Sequence, residues 1–416
     1  MTVKISKIQK IIFVVIILSA IVTRFYNFSE RINFSLEPAV SMTVSAQYIK
    51  EKFSLLGMPS VRRTTSHGHI IYFGPWFNYL LVPMMLISKY DPVKVTAFFA
   101  LLNLTTGVLI FLFVSKIWNP IVGLFSSTLF LFNGIMINNA LFLWIVDYLP
   151  LIGILSFAAF YYWYIRRQSY FVLFLGLLSG VAFNLEYLYF PTLLIVWAVL
   201  LFFSKEKVKD FVIFLGGALL GNLPTIIFDL RHNFYHIKTI WQYFLDTISF
   251  PSQAAIQYHV FLQFWPILAV LGGLAIYWIY LRSKYSAIVL LIIYLYISFT
   301  SSWVSFSGPV GMSGNLNYPK LEKVAKVISL DKPSDFNLVE DYNPRAQELR
   351  YIVTYIYGIR PMGVEEYGTA NILYALVPQG YNFFGPTPWE ISVFQAKNIQ
   401  KIYPVDKTYA LYKLTK

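Results

Sequence analysis

Apolar runs of roughly twenty residues, separated by short polar breaks, fill the first three quarters of the chain. They fall at 11–27, 93–115, 119–141, 143–165, 169–187, 189–204, 209–228, 257–281 and 285–304. As helices, runs of this length match a hydrocarbon layer about 30 Å thick. A further run, 70–88, opens near Gly74 and Pro75 and contains Pro83, which suits a broken interfacial or re-entrant piece better than a straight crossing. From about Gly308 the pattern changes. Helix-period stretches at 321–328 and 346–357, the second closed by Gly358, interleave with strand-like stretches at 337–339, 372–377 and 409–414. The prediction is a mainly α polytopic membrane domain over 1–307, with about nine crossings and added interfacial helices. A small extracytoplasmic α/β domain over 308–416 follows.

Composition agrees: 57% of residues are hydrophobic and 13% charged, with mean hydropathy +0.59, against about 25% charge in soluble domains. The net charge of +13 implies no nucleic-acid partner, because much of the basic excess lies in short loops. Lys116, then Arg166 and Arg167, then Lys205, Lys207 and Lys209, then Arg282 and Lys284 mark those loops as cytoplasmic. With the amino terminus also cytoplasmic, parity holds only if 70–88 does not cross, and it puts the carboxyl-terminal domain outside the cytoplasmic membrane. Lys4, Lys7 and Lys10 precede the first run, and no small-residue cleavage site follows it, so it reads as an uncleaved anchor. Cysteine is absent, which excludes disulfides and thiolate chemistry. In the outer loops, apolar positions 40, 44, 49 and 53 predict a short interfacial helix over 38–53. Ile237, Ile240, Trp241 and Phe244 predict another within 229–256.

Ionisable residues cluster at the end of the runs opposite the basic loops: Glu37, Asp147, Glu186, Asp229, Arg231 and His232. A charge at a helix centre costs about 2.5–3.5 kcal/mol on insertion scales, so each is a functional candidate. Blander readings stand beside that one. Glu37 precedes Pro38 and suits a helix amino terminus. Asp147 suits an ion pair and Glu186 an interfacial position. Arg231 offers a bidentate fork to phosphate or pairs with Asp229. His67 and His69 straddle Gly68 with no third ligand at a usual spacing, which argues against zinc. Trp76 and Tyr79 suit sugar stacking, although most of the 19% aromatic content reads as anchors and packing. Three acids in one layer repel, so at least one is expected to pair with Arg231, Arg24 or a bound cation, or to hold its proton.

Phe34-Ser35-Leu36-Glu37-Pro38, Thr65 to His69, Gly74 to Pro83, Phe228 to Phe234 and Pro388-Trp389-Glu390-Ile391 together resemble the bacterial family 39 glycosyltransferases. These are relatives of the protein mannosyltransferases and of the aminoarabinose transferase acting on lipid A. The resemblance implies a GT-C fold, a polyprenyl-phosphate sugar donor, membrane lipids around it, and a lipid, glycan or protein acceptor at the outer face of the cytoplasmic membrane. It makes Glu37, Asp147 and Glu186 the catalytic candidates and Arg231 and His232 the donor-phosphate candidates. His67, His69, Trp76, Tyr79 and Asp229 would line the substrate. The family's Asp-Glu pair reads Leu36-Glu37 here, and Leu36 can neither accept a proton nor bind a metal. Either Glu37 has taken over, or Asp147 or Glu186 serves, or transfer is lost; a divalent cation stays open as cofactor. The rival readings are a lipid-carrier transporter or flippase, and a non-catalytic carrier-binding relative. A transporter predicts charges at the midplane and related halves, whereas these charges gather at one face. The expected site is a cavity at the outer boundary, walled by Gly74 to Pro83 and roofed by the carboxyl-terminal domain.

Overall fold

Ser6 starts the first helix: its hydroxyl accepts from the Gln9 amide while Gln9 Oε1 accepts from the Ser6 amide, satisfying two otherwise orphaned donors. In the structure, a computed structural model that describes residues 5–249, 258–312 and 316–416, this helix is α1 (Lys7–Phe25). After it come α2 (Phe28–Arg31), α3 (Leu36–Lys50), a hairpin of β1 (Pro59–Thr64) and β2 (Ile70–Tyr72), and α4 (Trp76–Ser88). Asp91 and Asn119 cap α5 (Pro92–Ile117) and α6 (Pro120–Leu131), each with proline in the first turn, where its missing N–H is no loss. The helical part continues with α7 (Gly134–Asn139), α8 (Leu149–Arg166), α9 (Ser169–Leu185), α10 (Phe190–Phe203) and α11 (Lys207–Gly221). It ends with α12 (Leu223–Arg231), α13 (Tyr235–Ser249), α14 (Trp265–Arg282) and α15 (Lys284–Thr300).

Apolar helices occupy every predicted run, but not all as straight crossings. Lys7–Phe25, Pro92–Ile117, Ile145–Arg166 and Phe261–Arg282 are long and apolar enough to span, and α11 with α12 makes a fifth unit bent by 73°. The expected run 119–141 is instead two helices, because the Asn133 side chain accepts from the Ile135 and Met136 amides and starts α7 afresh. The run 209–228 breaks at Asn222, before the Pro224 of α12. Residue 257, predicted to open a span, and Lys4 lie outside the described residues. At 13 residues, α4 is about 20 Å long at 1.5 Å per residue.

Since α8 runs from Asp147 towards Arg166, and α9 returns from there to Glu186, the acids and the basic loops lie at opposite ends of the bundle. The basic end carries a collar of cations on rings: Arg167 over Trp163, Arg282 over Trp278 and Lys284 over Tyr280. This is the arrangement of a membrane boundary. Between α9 and α11 the backbones nearly touch, with Gly176 and Gly180 facing Gly217 and Gly221; a Cβ on Gly180 would lie 2.2 Å from the Ala218 carbonyl oxygen. Small residues allow such approach where apolar surface alone gives lipid-embedded helices no reason to associate.

The helix expected at 38–53 forms as α3. Its buried face includes Ala39, Ser41, Met42, Ser45, Ala46 and Tyr48, and it packs between α4 and the carboxyl-terminal domain. That domain comprises α16 (Tyr318–Leu330), β3 (Phe336–Glu340), α17 (Gln347–Tyr351) with a π-helical extension at Ile352–Ile356, β4 (Ile372–Pro378), α18 (Trp389–Ser392), β5 (Asn398–Pro404) and β6 (Tyr409–Thr415). The strand order is β3-β4-β6-β5, with β3 and β4 parallel and β6 antiparallel to both its neighbours. One face buries Val339, Leu373, Ala375, Val377 and Phe394. The other buries Leu338, Tyr374, Leu376 and Leu411 in a core continuous with Phe34, Phe77 and the helical bundle.

Candidate functional site

Three short 3-10 turns gather at the acidic end of the bundle: Ile145–Tyr148 before α8, Tyr187–Tyr189 between α9 and α10, and Tyr258–Phe264 before α14. In the first, Asp147 Oδ2 accepts from the Trp144 amide at 2.9 Å, while Oδ1 is buried with no hydrogen bond among the described residues. The Trp144 indole meets the His259 ring edge-on, centroids 4.5 Å apart. His259 Nε2 in turn lies 3.9 Å from Glu186 Oε2. Glu186 is 2% exposed and His259 1%. Glu186 ends α9, and its Oε1 accepts from the Leu188 amide to start the second turn. Asp147, Trp144, His259 and Glu186 therefore form one contiguous polar group that the sequence distributes over more than a hundred positions.

An apolar cavity begins one turn further into the bundle. Gln263 Nε2 donates to Thr192 Oγ1 at 2.9 Å, and Gln263 Oε1 is buried with no hydrogen bond among the described residues. These two residues, with Gly153, Phe157, Tyr189 and Val196, line a space of about 270 Å³ between α8, α9, α10 and α14. The expected wall, Gly74 to Pro83, does not line this cavity. That segment packs instead on α9 and α11, with the Trp76 indole N–H donating to the Gly221 carbonyl at 2.6 Å. Tyr79 donates to the Ser54 carbonyl at 2.7 Å and shares an aromatic cluster with Tyr48, Phe53 and Trp76.

Glu37 lies in the first turn of α3, half-buried. A parallel bridge joins Asn33 to Phe142, and the Asn33 amide donates to the Leu141 carbonyl at 2.9 Å. Both strands of that bridge then run the same way, one into α3 with Glu37 and the other to Trp144 and Asp147.

Asp229 is a helix cap: its carboxylate accepts from the His236 amide at 2.7 Å and the Ile237 amide at 3.1 Å, closing the first turn of α13. The His236 ring is buried, with Nε2 2.7 Å from the Tyr187 hydroxyl and 2.9 Å from the Tyr72 carbonyl oxygen. The carbonyl only accepts, so Nε2 carries the proton. Burial pushes the His236 imidazole below its ordinary value, leaving it neutral at pH 7. Through Tyr187 this network abuts Glu186.

Arg231 and His232 are exposed at the end of α12. His232 stacks on Phe228 and donates from Nδ1 to its carbonyl at 2.8 Å, whereas Arg231 makes no hydrogen bond or ion pair among the described residues. Nor does Arg24 neutralise an acid, for its guanidinium binds Asn103 Oδ1 and the Leu131 and Ala20 carbonyls. His67 and His69 are exposed at the hairpin tip, with His69 edge-on to Tyr235 and neighbouring Ser66 bound to Asp246. The described residues hold no group of three or more His, Cys, Asp or Glu placed to bind a metal.

No family model matches the sequence, and no curated protein matches it. Solved structures do. ArnT from Cupriavidus metallidurans in the apo state superposes with a TM-score of 0.60 at 11% identity, covering 98% of each chain. ArnT bound to undecaprenyl phosphate gives 0.61 at 9%, covering 96% of this chain and 97% of that one. AglB, the archaeal oligosaccharyltransferase from Archaeoglobus fulgidus, in complex with an inhibitory peptide and a dolichol-phosphate, gives 0.51 at 9% over 89% of this chain and 69% of its own. The chain has the GT-C fold that the sequence motifs suggested, and it is a membrane protein.

Proposed function

We propose that this GT-C chain transfers a sugar from a polyprenyl-phosphate carrier to an acceptor at the outer face of the cytoplasmic membrane. The observation that carries the reading is the apolar cavity lined by Gln263 and Thr192, about one helical turn along the chain from the buried His259 and Glu186. An isoprenoid stays in hydrocarbon while its phosphate stays at the polar boundary, and an apolar cavity beside a polar group suits that division. Two solved structures of the same fold hold, respectively, undecaprenyl phosphate and a dolichol-phosphate.

The roles follow from the chemistry of each group. Asp147, with one carboxylate oxygen tied to the Trp144 amide and the other not hydrogen-bonded, takes the acceptor's proton. Glu37 approaches from the other strand of the Asn33–Phe142 bridge and is the second candidate base, one residue after Leu36, which stands where the family motif places the base. His259, held beside Glu186, offers a ring N–H to the phosphate. Arg231, exposed on α12, binds the incoming phosphate and acts on affinity rather than turnover.

The test uses purified protein in nanodiscs and a panel of radiolabelled polyprenyl-phosphate monosaccharides, with carrier release as readout. Asp147→Asn and Glu186→Gln are expected to lower turnover about 10²–10⁴-fold, the range of general acid–base contributions, and Arg231→Ala to raise KM. Unchanged turnover in Asp147→Asn, Glu186→Gln and Glu37→Gln alike would overturn the reading. Carrier translocation without sugar release would favour the transporter.

A further inference from the structure

The carboxyl-terminal domain holds two buried carboxyl groups apart from the group formed by Asp147, His259 and Glu186. Glu340 ends β3 and Glu348 lies in the first turn of α17, and both are wholly buried. The Glu340 carboxyl is approached by the Tyr342 hydroxyl and the Leu349 amide, and Glu348 accepts from the Asn343 side-chain amide. The neighbouring cation, Arg350, is committed to neutral acceptors: the Arg345 and Met362 carbonyls at 2.7 Å each, the Asn337 side chain and the Tyr367 hydroxyl. The other titratable groups facing the pair are Tyr342, buried at its hydroxyl, and Tyr409 on β6, with Asp341 beside it. Two ionised carboxylates in this space repel each other with no dedicated counter-charge. Burial, reinforced by the charge of Glu348, pushes Glu340 well above the carboxylate range, and burial pushes Glu348 up to about 7.

The pair stands directly behind the seam between the carboxyl-terminal domain and the helical bundle. On α17, Tyr351 meets Phe34 edge-on at 5.6 Å and donates to the Tyr90 carbonyl at 2.7 Å. Tyr355, in the π-helical turn that follows, stacks on Tyr90, and the Lys50 ammonium at the end of α3 lies over both rings.

We infer that Glu340 and Glu348 form a proton-holding latch that keeps α17 closed against β3 and thereby docked on α3. With both carboxyls protonated the dry interface is tolerated; each one that ionises places charge in it, which drives α17 from β3 and loosens the seam. Both folded-state values lie above the ordinary glutamate value, so the native state binds more protons than the unfolded one. Docking is therefore strongest below about pH 4.5, weakens as pH rises from there and is lost as pH passes through the folded values. This inference stands whether or not the chain is a transferase.

Hydrogen–deuterium exchange on the full-length protein in nanodiscs, corrected for intrinsic rate, tests it between pH 5 and 9. Protection of 347–356, measured relative to α9, is expected to fall between pH 5 and 7 by up to about tenfold per pH unit for each proton held, about a hundredfold for the pair. In Glu348→Gln, where Glu340 alone still holds a proton, the slope should drop to that of a single group. A flat wild-type profile would overturn the latch. So would protection that calcium or magnesium restores at pH 8 and EDTA removes, because the pair would then hold a cation rather than a proton. Should Glu348→Gln fail to fold, the wild-type profile with and without EDTA still decides.

Discussion

The Gly74 amide donates to the Asn184 carbonyl at 2.9 Å, and a Cβ on Gly74 would lie 1.9 Å from Asn184 Oδ1. Asn184 cannot yield easily, because its side-chain amide donates to Asn222 Oδ1 and Thr225 Oγ1 at 2.7 Å each. This contact pins the start of α4 to the helices that carry Glu186 and the bend at Asn222. Gly74→Ala is therefore expected to lower stability by about 1–3 kcal/mol, the range for overpacking a close contact, seen as a lower thermal midpoint in detergent.

Asp229 bridges two helices by capping α13 from the end of α12. Asp229→Ala removes that cap and is expected to cost about 1 kcal/mol, with faster amide exchange at His236 and Ile237. Asp229→Asn, which still accepts, should lose less. Equal losses in the two variants would mean that the charge matters more than the hydrogen bonds.

His236 makes the α12–α13 region acid-sensitive. Its folded-state value lies below that of a free imidazole because burial disfavours the charged form. The native state therefore binds fewer protons, so the contribution is complete above about pH 6.5 and is lost as pH falls through the folded value. Protection of α13 should fall from pH 7 to pH 5 in wild type and change less in His236→Gln. The sign is opposite to that expected for Glu340 and Glu348, so one titration read at two segments separates the two effects.

The Tyr351 hydroxyl joins the carboxyl-terminal domain to the residue just before the Asp91 cap of α5. Tyr351→Phe keeps the ring against Phe34 and leaves the Tyr90 carbonyl without this donor, and is expected to cost about 1 kcal/mol. Limited proteolysis of the 301–317 connection should accelerate accordingly.

The apolar runs were legible because lipid imposes length and composition on every crossing, and the acids and basic loops were separable because helix direction alternates. The resemblance motifs led to the right fold. What escaped depends on contacts distant in sequence or on polar edges. His259 stands alone before an apolar run, and only folding brings it to Glu186; its position at the same end as the acids was the one available signal. The hairpin escaped because Pro-Ser-Val-Arg-Arg-Thr lacks an apolar alternation, and β5 because Asn398–Pro404 is an exposed edge strand. The buried face of α3 was not legible because it includes Ala39, Ser41, Ser45 and Ala46, which carry no hydrophobic signal but let neighbours approach. Break points at Asn133 and Asn222 were hidden because Asn interrupts a helix only when its side chain or the next proline is used as a start.

The sheet of the carboxyl-terminal domain has one core of its own and one held jointly with the bundle. Composition divides the chain near Gly308, yet packing does not divide it there. Cutting the chain at that point would bare Leu338, Tyr374, Leu376 and Leu411 on one side and Phe34 on the other. As a unit of exchange, the carboxyl-terminal domain is thus not a cassette. A chimera that replaces it must bring a matching α3 and Tyr90 region, so its loops can be traded between related chains only together with the helix that carries Glu37.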